Sequence, residues 1–382
     1  MTNHWDDLKN AKVFLIEGSN VAENHVMAMK WIRQAQSNGA KVIHVDPRYN
    51  RTSAIADIFA CIRPGADIAF LGAIIRLVIE RGWYDAEYVK LHTNGLMLLS
   101  DDFGFEDGAY RLDPTVHPFA TSFARTDIRM TTRYKPTNLR ALWAAMHEAG
   151  HGLTYQGVDP ALGRSPLYGN ASLGLGESQS RSWENLVGRS LPFRRGRYPE
   201  LQRLFPQLER VDLETWYRGI NRVAPGLIRV DADEVTYSLH IILRFELEQQ
   251  LVAGELALAD LPEAWNARMR ELLGVEVPDD ARGVLQDVHW TRASYGYFPT
   301  YALGNALSVQ IWRVVEQELP DLDAQLEAGE FGPLYESLRG RLYRHGRKFT
   351  PMQTLERAIG ADAIDPQPYL EYLRGKVKSL RA

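Results

Sequence analysis

The segment His147-Glu148-Ala149-Gly150-His151 has the residue types and spacing that most directly suggest chemistry. It lies in an amphipathic helical pattern, so histidines four positions apart share one helix face, where both imidazoles can bind a single Zn²⁺. Glu148 then lies beside the open position of the metal, where a carboxylate can take a proton from water. The segment therefore predicts a zinc site for hydrolysis, with Glu148 as the catalytic base.

Two histidines leave such a site incomplete, so a third ligand is needed. A histidine six residues after His151 would complete one extended motif, but Gly157 occupies that position. Downstream, Glu177 and Glu184 lie seven residues apart, which is nearly two turns along one helix face. Either glutamate, together with two histidines, would leave a tetrahedral position for water, and their chemistry does not choose between them.

Two glycines in the same helical pattern indicate a packing requirement. Gly150 and Gly152 each cost about 1 kcal/mol relative to alanine inside a helix. We therefore expect another part of the chain to approach this helix closely at these positions.

The elements at the start of the chain are those of an α/β segment. From Val13 to Asp46 the pattern reads strand, turn, helix, strand, which predicts a βαβ unit. A second apolar helix follows and ends at Gly82. We assign residues 1–108 to a small, Rossmann-like α/β segment.

The rest of the chain has a different pattern. After Gly108, long amphipathic segments separated by proline and glycine dominate, so residues 109–382 should be mainly α-helical. The stretch 100–114 is acidic, contains glycine and lacks periodicity, which is typical of a linker or boundary. The sequence thus predicts a mainly α-helical region preceded by a small α/β segment.

Composition narrows the class of protein and its partners. The net charge is -4, and no block rich in lysine or arginine is present, which argues against a nucleic-acid partner. Cys61 is the single cysteine, so no disulfide forms within the chain, which fits a reducing cytoplasm. The N-terminus lacks the features of a signal peptide, and no apolar run is long enough to span a bilayer. We expect a cytoplasmic protein without a membrane partner.

Five ordered blocks in the region of about residues 110 to 380 resemble the signatures of the M32 metallocarboxypeptidases. The blocks are His117-Pro118-Phe119, Asp127 to Thr131, the HEAGH segment, Glu177-Ser178-Gln179, and Gly283 to Trp290. The resemblance implies zinc ligation by His147, His151 and Glu177, with Glu148 as catalytic base, and Co²⁺ or Mn²⁺ as substitutes for zinc. This sequence departs from the family at Gly176, where a histidine usually precedes the glutamate ligand.

A carboxypeptidase also needs a donor for the terminal carboxylate of its peptide substrate, and arginine binds carboxylate in bidentate fashion. Arg229 is the first candidate, and the resemblance adds Tyr297 as a second donor. Arg129 and Arg133 are rivals, although an arginine in a DxR pattern more often pairs with the neighbouring aspartate. Two histidines are expected to line the cleft: His117 and His289. A homodimer is compatible with this interpretation.

The first hundred residues resemble another family, the catalytic subunit of molybdopterin-dependent formate dehydrogenases. The similar segments are LIEGSNVAENH, KVIHVDPRYNRTSA, RPGADIAFL and YVKLHTNG. In that family, the turn after the first strand and the acid ending the second contact a molybdopterin guanine dinucleotide cofactor. The corresponding residues here are Gly18, Ser19, Asn20, Asp46, Arg48 and Asp67. Independently, a glycine turn at a helix start suits a pyrophosphate, and Asp46 can accept from ribose or guanine.

The two resemblances give an apparent chimera and a choice of functions. The leading hypothesis is a zinc-dependent metallocarboxypeptidase that removes C-terminal amino acids from peptides. The alternatives are a molybdopterin-guanine-dinucleotide-binding fragment of an oxidoreductase, or an inactive fusion. One cysteine cannot hold an iron–sulfur cluster, so we expect no redox activity from the N-terminal segment.

Overall fold

The structure is a computed structural model that describes residues 5–83, 103–106, 108–115, 118–134 and 138–381. Its internal contacts divide the chain into two compact units, Met1–Leu91 and His92–Ala382, called here the N-terminal and C-terminal units. Among the described residues, no helix combines the length and apolar character needed to cross a membrane. The mainly helical fold with a small α/β region, predicted from sequence, is confirmed.

The N-terminal unit contains the predicted βαβ arrangement. Its strands form a parallel sheet in the order β1, β2, β3, with Val13 opposite Lys41 in the first pair. The elements are β1 (Val13–Glu17), α1 (Val21–Asn24), α2 (Val26–Ser37), β2 (Lys41–Val45), β3 (Ile58–Ala60) and α3 (Asp67–Glu80). Alternate residues of β1 and one face of α2 bury a small core: Phe14, Ile16, Ala28, Ile32, Ala35, Ala40 and Val42. The periodicity of the sequence was sufficient to predict this unit.

The C-terminal unit begins with a sheet that the sequence did not predict. β4 (Tyr110–Pro114) lies parallel to β6 (Asp127–Thr132), and β5 (Phe119–Ala124) lies antiparallel to β6, so β6 is the central strand. Only β6 has a strongly buried face, with Ile128 and Met130 against the core. β4 does alternate, with Tyr110 and Leu112 packed against the core, but it is short and follows a polar, glycine-containing stretch. β5 lacks the alternating apolar pattern by which a strand is recognised.

The remaining described elements of the C-terminal unit are helical. They are α4 (Arg140–Gly157), α5 (Leu173–Arg181), α6 (Leu191–Leu204), α7 (Leu213–Ile220), α8 (Tyr237–Ala253), α9 (Leu261–Leu273), α10 (Pro299–Glu318), α11 (Leu322–Ala328), α12 (Gly332–Arg341), α13 (Pro351–Ile359) and α14 (Gln367–Arg381). A π-helical turn, Ser182–Val187, directly continues α5. Helices α4, α5 and α10 pack together and form the centre of the unit.

The main core of the C-terminal unit surrounds buried aromatic side chains. The ring centroids of Trp183 and Phe331 each lie 5.0 Å from that of Phe103. The centroids of Trp183 and Phe331 lie 6.0 Å from each other. Phe103 and Phe105 are both buried, although they belong to the stretch predicted as a linker. That prediction is wrong for these residues, because two phenylalanines in a polar stretch supply core contacts that periodicity does not reveal.

Candidate metal centre

Helices α4 and α5 approach so closely that only glycine fits between them. A Cβ atom on Gly150 would lie 2.5 Å from the carbonyl oxygen of Gln179 and 2.6 Å from the Cα of Ser180. A Cβ atom on Gly152, on another side of α4, would lie 2.9 Å from both Met130 Sδ and Phe105 Cζ. The packing requirement inferred from these two glycines is confirmed. The close approach carries the glutamate of α5 to the histidines of α4.

A third helix holds the same glutamate from the other side. A Cβ atom on Gly304 of α10 would lie 2.7 Å from Glu177 Cγ and 2.8 Å from its Cβ. Glu177 itself is 6% exposed. The absence of a side chain at residue 304 therefore lets α10 pack against Glu177 and limits the directions in which its carboxylate can point.

The ligand atoms of His147, His151 and Glu177 form one cluster, in which they all lie within 4.8 Å of one another. His147 Nε2 lies 3.6 Å from Glu177 Oε1, and His151 Nε2 lies 3.6 Å from Glu177 Oε2. Both imidazoles thus turn the same nitrogen toward the carboxylate. Two imidazole nitrogens and a carboxylate are donors that divalent transition metals accept. These residues fit a divalent metal.

Glu184, the other glutamate considered from sequence, occupies a different place in the site. His147 Nδ1 donates to Glu184 Oε2 over 2.9 Å, on the side of the ring away from Glu177. Arg181 lies between the two glutamates and donates from Nε to Glu177 over 3.1 Å and from Nη1 to Glu184 over 3.2 Å. Glu184 therefore contacts a candidate ligand instead of joining the three-residue cluster.

The two histidines differ in their electrostatic surroundings. Burial alone would lower the pKa of His147, but the carboxylates of Glu177 and Glu184 outweigh it and raise that pKa above its ordinary value. For His151, burial and then the neighbouring His147 lower the pKa to about 4. A neutral imidazole is the form that binds a metal, so His151 is kept in the ligand form across the neutral range.

Glu148 is buried beside the histidine ligand candidates of α4, and its carboxyl has a raised pKa. It is 6% exposed, and burial raises the pKa of its carboxyl to about 7, which the nearby His147 partly opposes. A carboxyl with a pKa near neutrality can both take and return a proton, as acid–base catalysis requires.

Arg229, the predicted carboxylate-binding residue, is already engaged. It is 5% exposed, its Nε and Nη2 donate to Asp287 over 3.1 and 2.7 Å, and its Nη1 donates to the Tyr237 hydroxyl over 2.9 Å. Arg244 donates from Nε to the same aspartate over 2.7 Å. These bonds use three of the five N–H groups of Arg229, so a substrate carboxylate would have to share the guanidinium with Asp287.

His289 and Tyr297 lie in an aromatic cluster beside this ion pair. The ring of His289 is 5.2 Å from that of Tyr297, and its Nε2 lies 3.2 Å from the hydroxyl of Tyr301. Burial, and after it the charge of Glu177, raises the pKa of Tyr297. These contacts are compatible with the predicted roles of His289 and Tyr297 in substrate binding.

The remaining predicted substrate residues lie away from the cluster or outside the described residues. Arg129 pairs with Asp127, its Nε 2.9 Å from Oδ1, which is the structural ion pair expected for a DxR pattern. Arg133 is exposed at the end of β6. His117 lies outside the residues that the structure describes.

In the N-terminal unit, the candidate cofactor residues lie at the carboxyl ends of parallel strands. Gly18, with φ of +59°, follows β1, and Asp46 follows β2. Asp46 accepts from the backbone N–H of Arg48 over 2.8 Å, and Asn20 accepts from the hydroxyl of Thr52 over 3.0 Å. The backbone carbonyl of Ser19 faces buried His44, and Asp67 begins α3. Gly18 and Asp46 thus follow strands as the sequence indicated, and the side chains of Asn20 and Asp46 bond within the unit.

Sequence reasoning missed two residues of the metal centre. Arg181 was not considered, although its spacing of four from Glu177 and three from Glu184 is that of neighbours on a helix face. Gly304 carried no signal in the sequence, because its contact with Glu177 depends on how α10 crosses α5.

A helix that carries HExxH, packed against a second helix that supplies a glutamate, is the architecture of one class of metallopeptidase. Residues 84–377 match the family model described as Carboxypeptidase Taq (M32) metallopeptidase. The chain therefore belongs to the M32 metallopeptidase family.

Similar proteins cover this region at high identity. Thermostable carboxypeptidase 1 of Thermus thermophilus is 45% identical over 278 residues, which are 72% of this chain and 54% of that protein. The crystal structure of an M32 carboxypeptidase from Deinococcus radiodurans superimposes with a TM-score of 0.72 at 46% identity, covering 75% of this chain and 58% of the other. The chain thus spans about half the length of the M32 relatives that it matches.

The N-terminal part of the chain is similar to another family. The major subunit of the nitrate-inducible formate dehydrogenase of Escherichia coli is 50% identical over 111 residues, which are 29% of this chain and 11% of that subunit. The similarity lies over the N-terminal third and supports the chimera predicted from sequence.

Proposed function

We propose that this chain is a zinc-dependent carboxypeptidase that removes C-terminal amino acids from peptides. The observation that carries the proposal is that the Nε2 atoms of His147 and His151 both face the carboxylate of Glu177 at 3.6 Å. Relatives named as carboxypeptidases support the choice of substrate end. Two nitrogens and one oxygen as donors favour zinc, and Co²⁺ or Mn²⁺ can occupy the same donor set.

The residues of the site divide the work of peptide hydrolysis. When bound, a divalent metal supplies Lewis acidity for the scissile carbonyl and for water. Glu148 takes a proton from the attacking water and returns it to the leaving amine, which its pKa of about 7 allows. His147, His151 and Glu177 fix the position of the metal relative to that base. Burial of the base excludes competing solvent and strengthens these interactions.

Recognition of the substrate's end falls to the region around Arg229. Its guanidinium is buried and charged, and two of its N–H groups remain after the bonds to Asp287 and Tyr237 are counted. Those two groups would bind the terminal carboxylate, with the hydroxyl of Tyr297 as a further donor. His289 would hydrogen-bond the substrate from the side of the aromatic cluster.

The decisive experiment compares the wild type with Glu148→Gln. The variant should bind one equivalent of metal as tightly as the wild type and hydrolyse a blocked dipeptide at least 10²-fold more slowly, because only the proton acceptor is lost. Glu214→Gln, on the exposed face of α7, is the matched control and should retain activity.

A chelator should abolish wild-type hydrolysis, and added zinc should restore it. Wild-type activity that survives the chelator, or full activity in Glu148→Gln, would refute the proposal. Metal analysis that finds molybdenum and pterin instead of zinc would favour the oxidoreductase interpretation.

We further propose a cytoplasmic location and no nucleic-acid partner. A single cysteine and a net charge of -4 without a basic block support these two points. A homodimer is a further possibility raised by the sequence interpretation, and sedimentation of the purified chain would test it.

A further inference from the structure

The helix that carries Glu177 changes its geometry two turns later. Helix α5 ends at Arg181, and the following turn, Ser182–Val187, is π-helical and contains Glu184. A π turn bonds i to i+5 and holds more residues per turn than an α-helix, so it rotates the side chains that follow it. Such turns are rare and occur frequently at functional sites.

The π turn brings Glu184 to the opposite side of an imidazole that Glu177 also contacts. His147 Nε2 lies 3.6 Å from Glu177 Oε1, while His147 Nδ1 lies 2.9 Å from Glu184 Oε2. In a continuous α-helix, residues seven apart are separated by about 10 Å along the axis. A single ring therefore spans the distance between the two carboxylates and is held at both of its nitrogens.

The contact with Glu184 determines which nitrogen of His147 carries the proton. An ionised carboxylate only accepts hydrogen bonds, so Nδ1 must be the donor and the lone pair must lie on Nε2. Nε2 is the nitrogen that faces Glu177 and the predicted metal position. A tautomer with the proton on Nε2 would lose the bond to Glu184 and could not bind a metal through that atom.

Glu184 is itself held by a cation. Arg181 donates to it over 3.2 Å from Nη1 and stacks on the ring of Tyr237, with the guanidinium carbon 4.2 Å from the ring centroid. Arg189 Nη2 adds a second positive charge 4.0 Å from Glu184 Oε1. These contacts keep Glu184 ionised and fix its direction, as a rigid acceptor for His147 requires.

We propose that Glu184, presented by the π turn and held by Arg181, is a positioning residue that fixes the tautomer and ring orientation of His147 for metal binding. His151 also faces Glu177, with its Nε2 3.6 Å from Oε2, and it forms a hydrogen bond with the backbone of Gly176. Glu184 contacts His147, so the two imidazoles are held by different partners. The inference rests on the proposed function only in assuming that a metal binds there.

Metal affinity of the metal-free protein tests this role without reference to activity. Zinc affinity is measured by competition with a chromophoric chelator, and the visible absorption of the Co²⁺ form reports ligand geometry. Glu184→Ala removes the acceptor, so zinc affinity should fall by about 10- to 100-fold and the Co²⁺ spectrum should change. Glu184→Gln keeps an acceptor oxygen without the charge, so its loss should be smaller than that of Glu184→Ala.

Two controls separate positioning from a general loss of structure. Glu214→Ala removes a glutamate from an exposed pair with Arg218 and should keep wild-type affinity. Circular dichroism of each metal-free variant checks folding, and if Glu184→Ala does not fold, Glu184→Met, which keeps most of the side-chain volume without an acceptor oxygen, decides. Zinc affinity within twofold of wild type in a folded Glu184→Ala or Glu184→Met variant, with an unchanged Co²⁺ spectrum, would overturn the proposal.

These outcomes are distinguishable from failure of the proposed function. A wild-type protein that binds zinc without hydrolysing peptides would refute the carboxypeptidase activity and leave the role of Glu184 testable by affinity. A wild-type protein that does not bind zinc would refute both.

Discussion

The metal cluster of the C-terminal unit and the strand ends of the N-terminal unit both match family motifs, but their side chains are organised differently. At the cluster, His147 and Glu177 come from separate helices and face one point, with charged partners behind them. At the strand ends, Asp46 bonds to the backbone two residues away, and Asn20 bonds to Thr52 in the next loop.

The difference shows how much structure each kind of ligand needs. A metal ion requires three converging side chains, and two packed helices supply them in this chain. A dinucleotide covers a large surface, so the strand-end turns are only one part of such a site. A motif match is therefore stronger evidence for a metal site, which two packed helices can complete, than for a dinucleotide site, which needs a much larger surface.

The largest effect should come from breaking the contact between α4 and α5. In Gly150→Ala the new methyl group would meet the backbone of Gln179 and Ser180, so the helices must separate. We expect a loss of about 3 kcal/mol in the free energy of unfolding and a loss of zinc affinity, measured by urea unfolding and chelator competition.

The matched control is Gly375→Ala in α14, where no described atom lies within 4 Å of the added Cβ. It should be neutral or stabilising by up to about 1 kcal/mol. Equal destabilisation by both substitutions would contradict the role assigned to Gly150.

A similar loss in the free energy of unfolding is expected at the buried ion pairs of Asp287 with Arg229 and Arg244. Asp287→Asn leaves Arg229 and Arg244 buried without their shared carboxylate, and should cost about 3 kcal/mol at pH 7. Although burial opposes ionisation, the two arginines lower the pKa of Asp287 to about 2.

The pH dependence of this effect has a definite sign. A lowered pKa in the folded state stabilises the protein above the unfolded pKa of about 4, and this contribution of about 2 kcal/mol is lost as the pH falls toward 2. The free energies of unfolding of the wild type and of Asp287→Asn, measured in urea, should therefore become more similar as the pH falls from 5 to 2. A constant difference over that range would show that Asp287 does not ionise as described.

A smaller effect, of opposite sign, is expected at a buried cation. Among the described residues, Nε and Nη2 of Arg194 have no acceptor, and burial followed by Arg189 lowers its pKa to about 9. Arg194→Met should raise the free energy of unfolding by about 1 kcal/mol, because it removes a buried charge of which two nitrogens lack an acceptor. Arg195→Met, on the exposed neighbour, should change it by less than about 0.5 kcal/mol. A lower midpoint of thermal unfolding for Arg194→Met than for the wild type would contradict the predicted stabilisation.

The smallest effect is expected in the N-terminal unit. Asp46→Asn keeps an acceptor for the N–H of Arg48, so stability should change by less than about 0.5 kcal/mol. Zinc affinity should be unchanged, since all three candidate ligands belong to the C-terminal unit. A tenfold change in zinc affinity would show that the two regions are coupled.

Elements with strong local periodicity could be predicted from the amino-acid sequence. The βαβ unit, the helix that carries His147 and His151, and the mainly helical character of the rest follow from spacing over a few residues, which directly reflects helix and strand geometry. Gly150 and Gly152 also indicated a close packing contact, but the sequence did not show which part of the chain makes it.

Contacts between residues far apart in the chain became known from the fold. Family resemblance selected Glu177 over Glu184, whereas the structure gave Glu184 its own contact with His147, 37 residues away. The sheet of β4, β5 and β6 and the pairing of Arg229 with Asp287, 58 residues apart, were likewise not predicted. Local spacing cannot encode such contacts, because they depend on how helices and strands pack after they have formed.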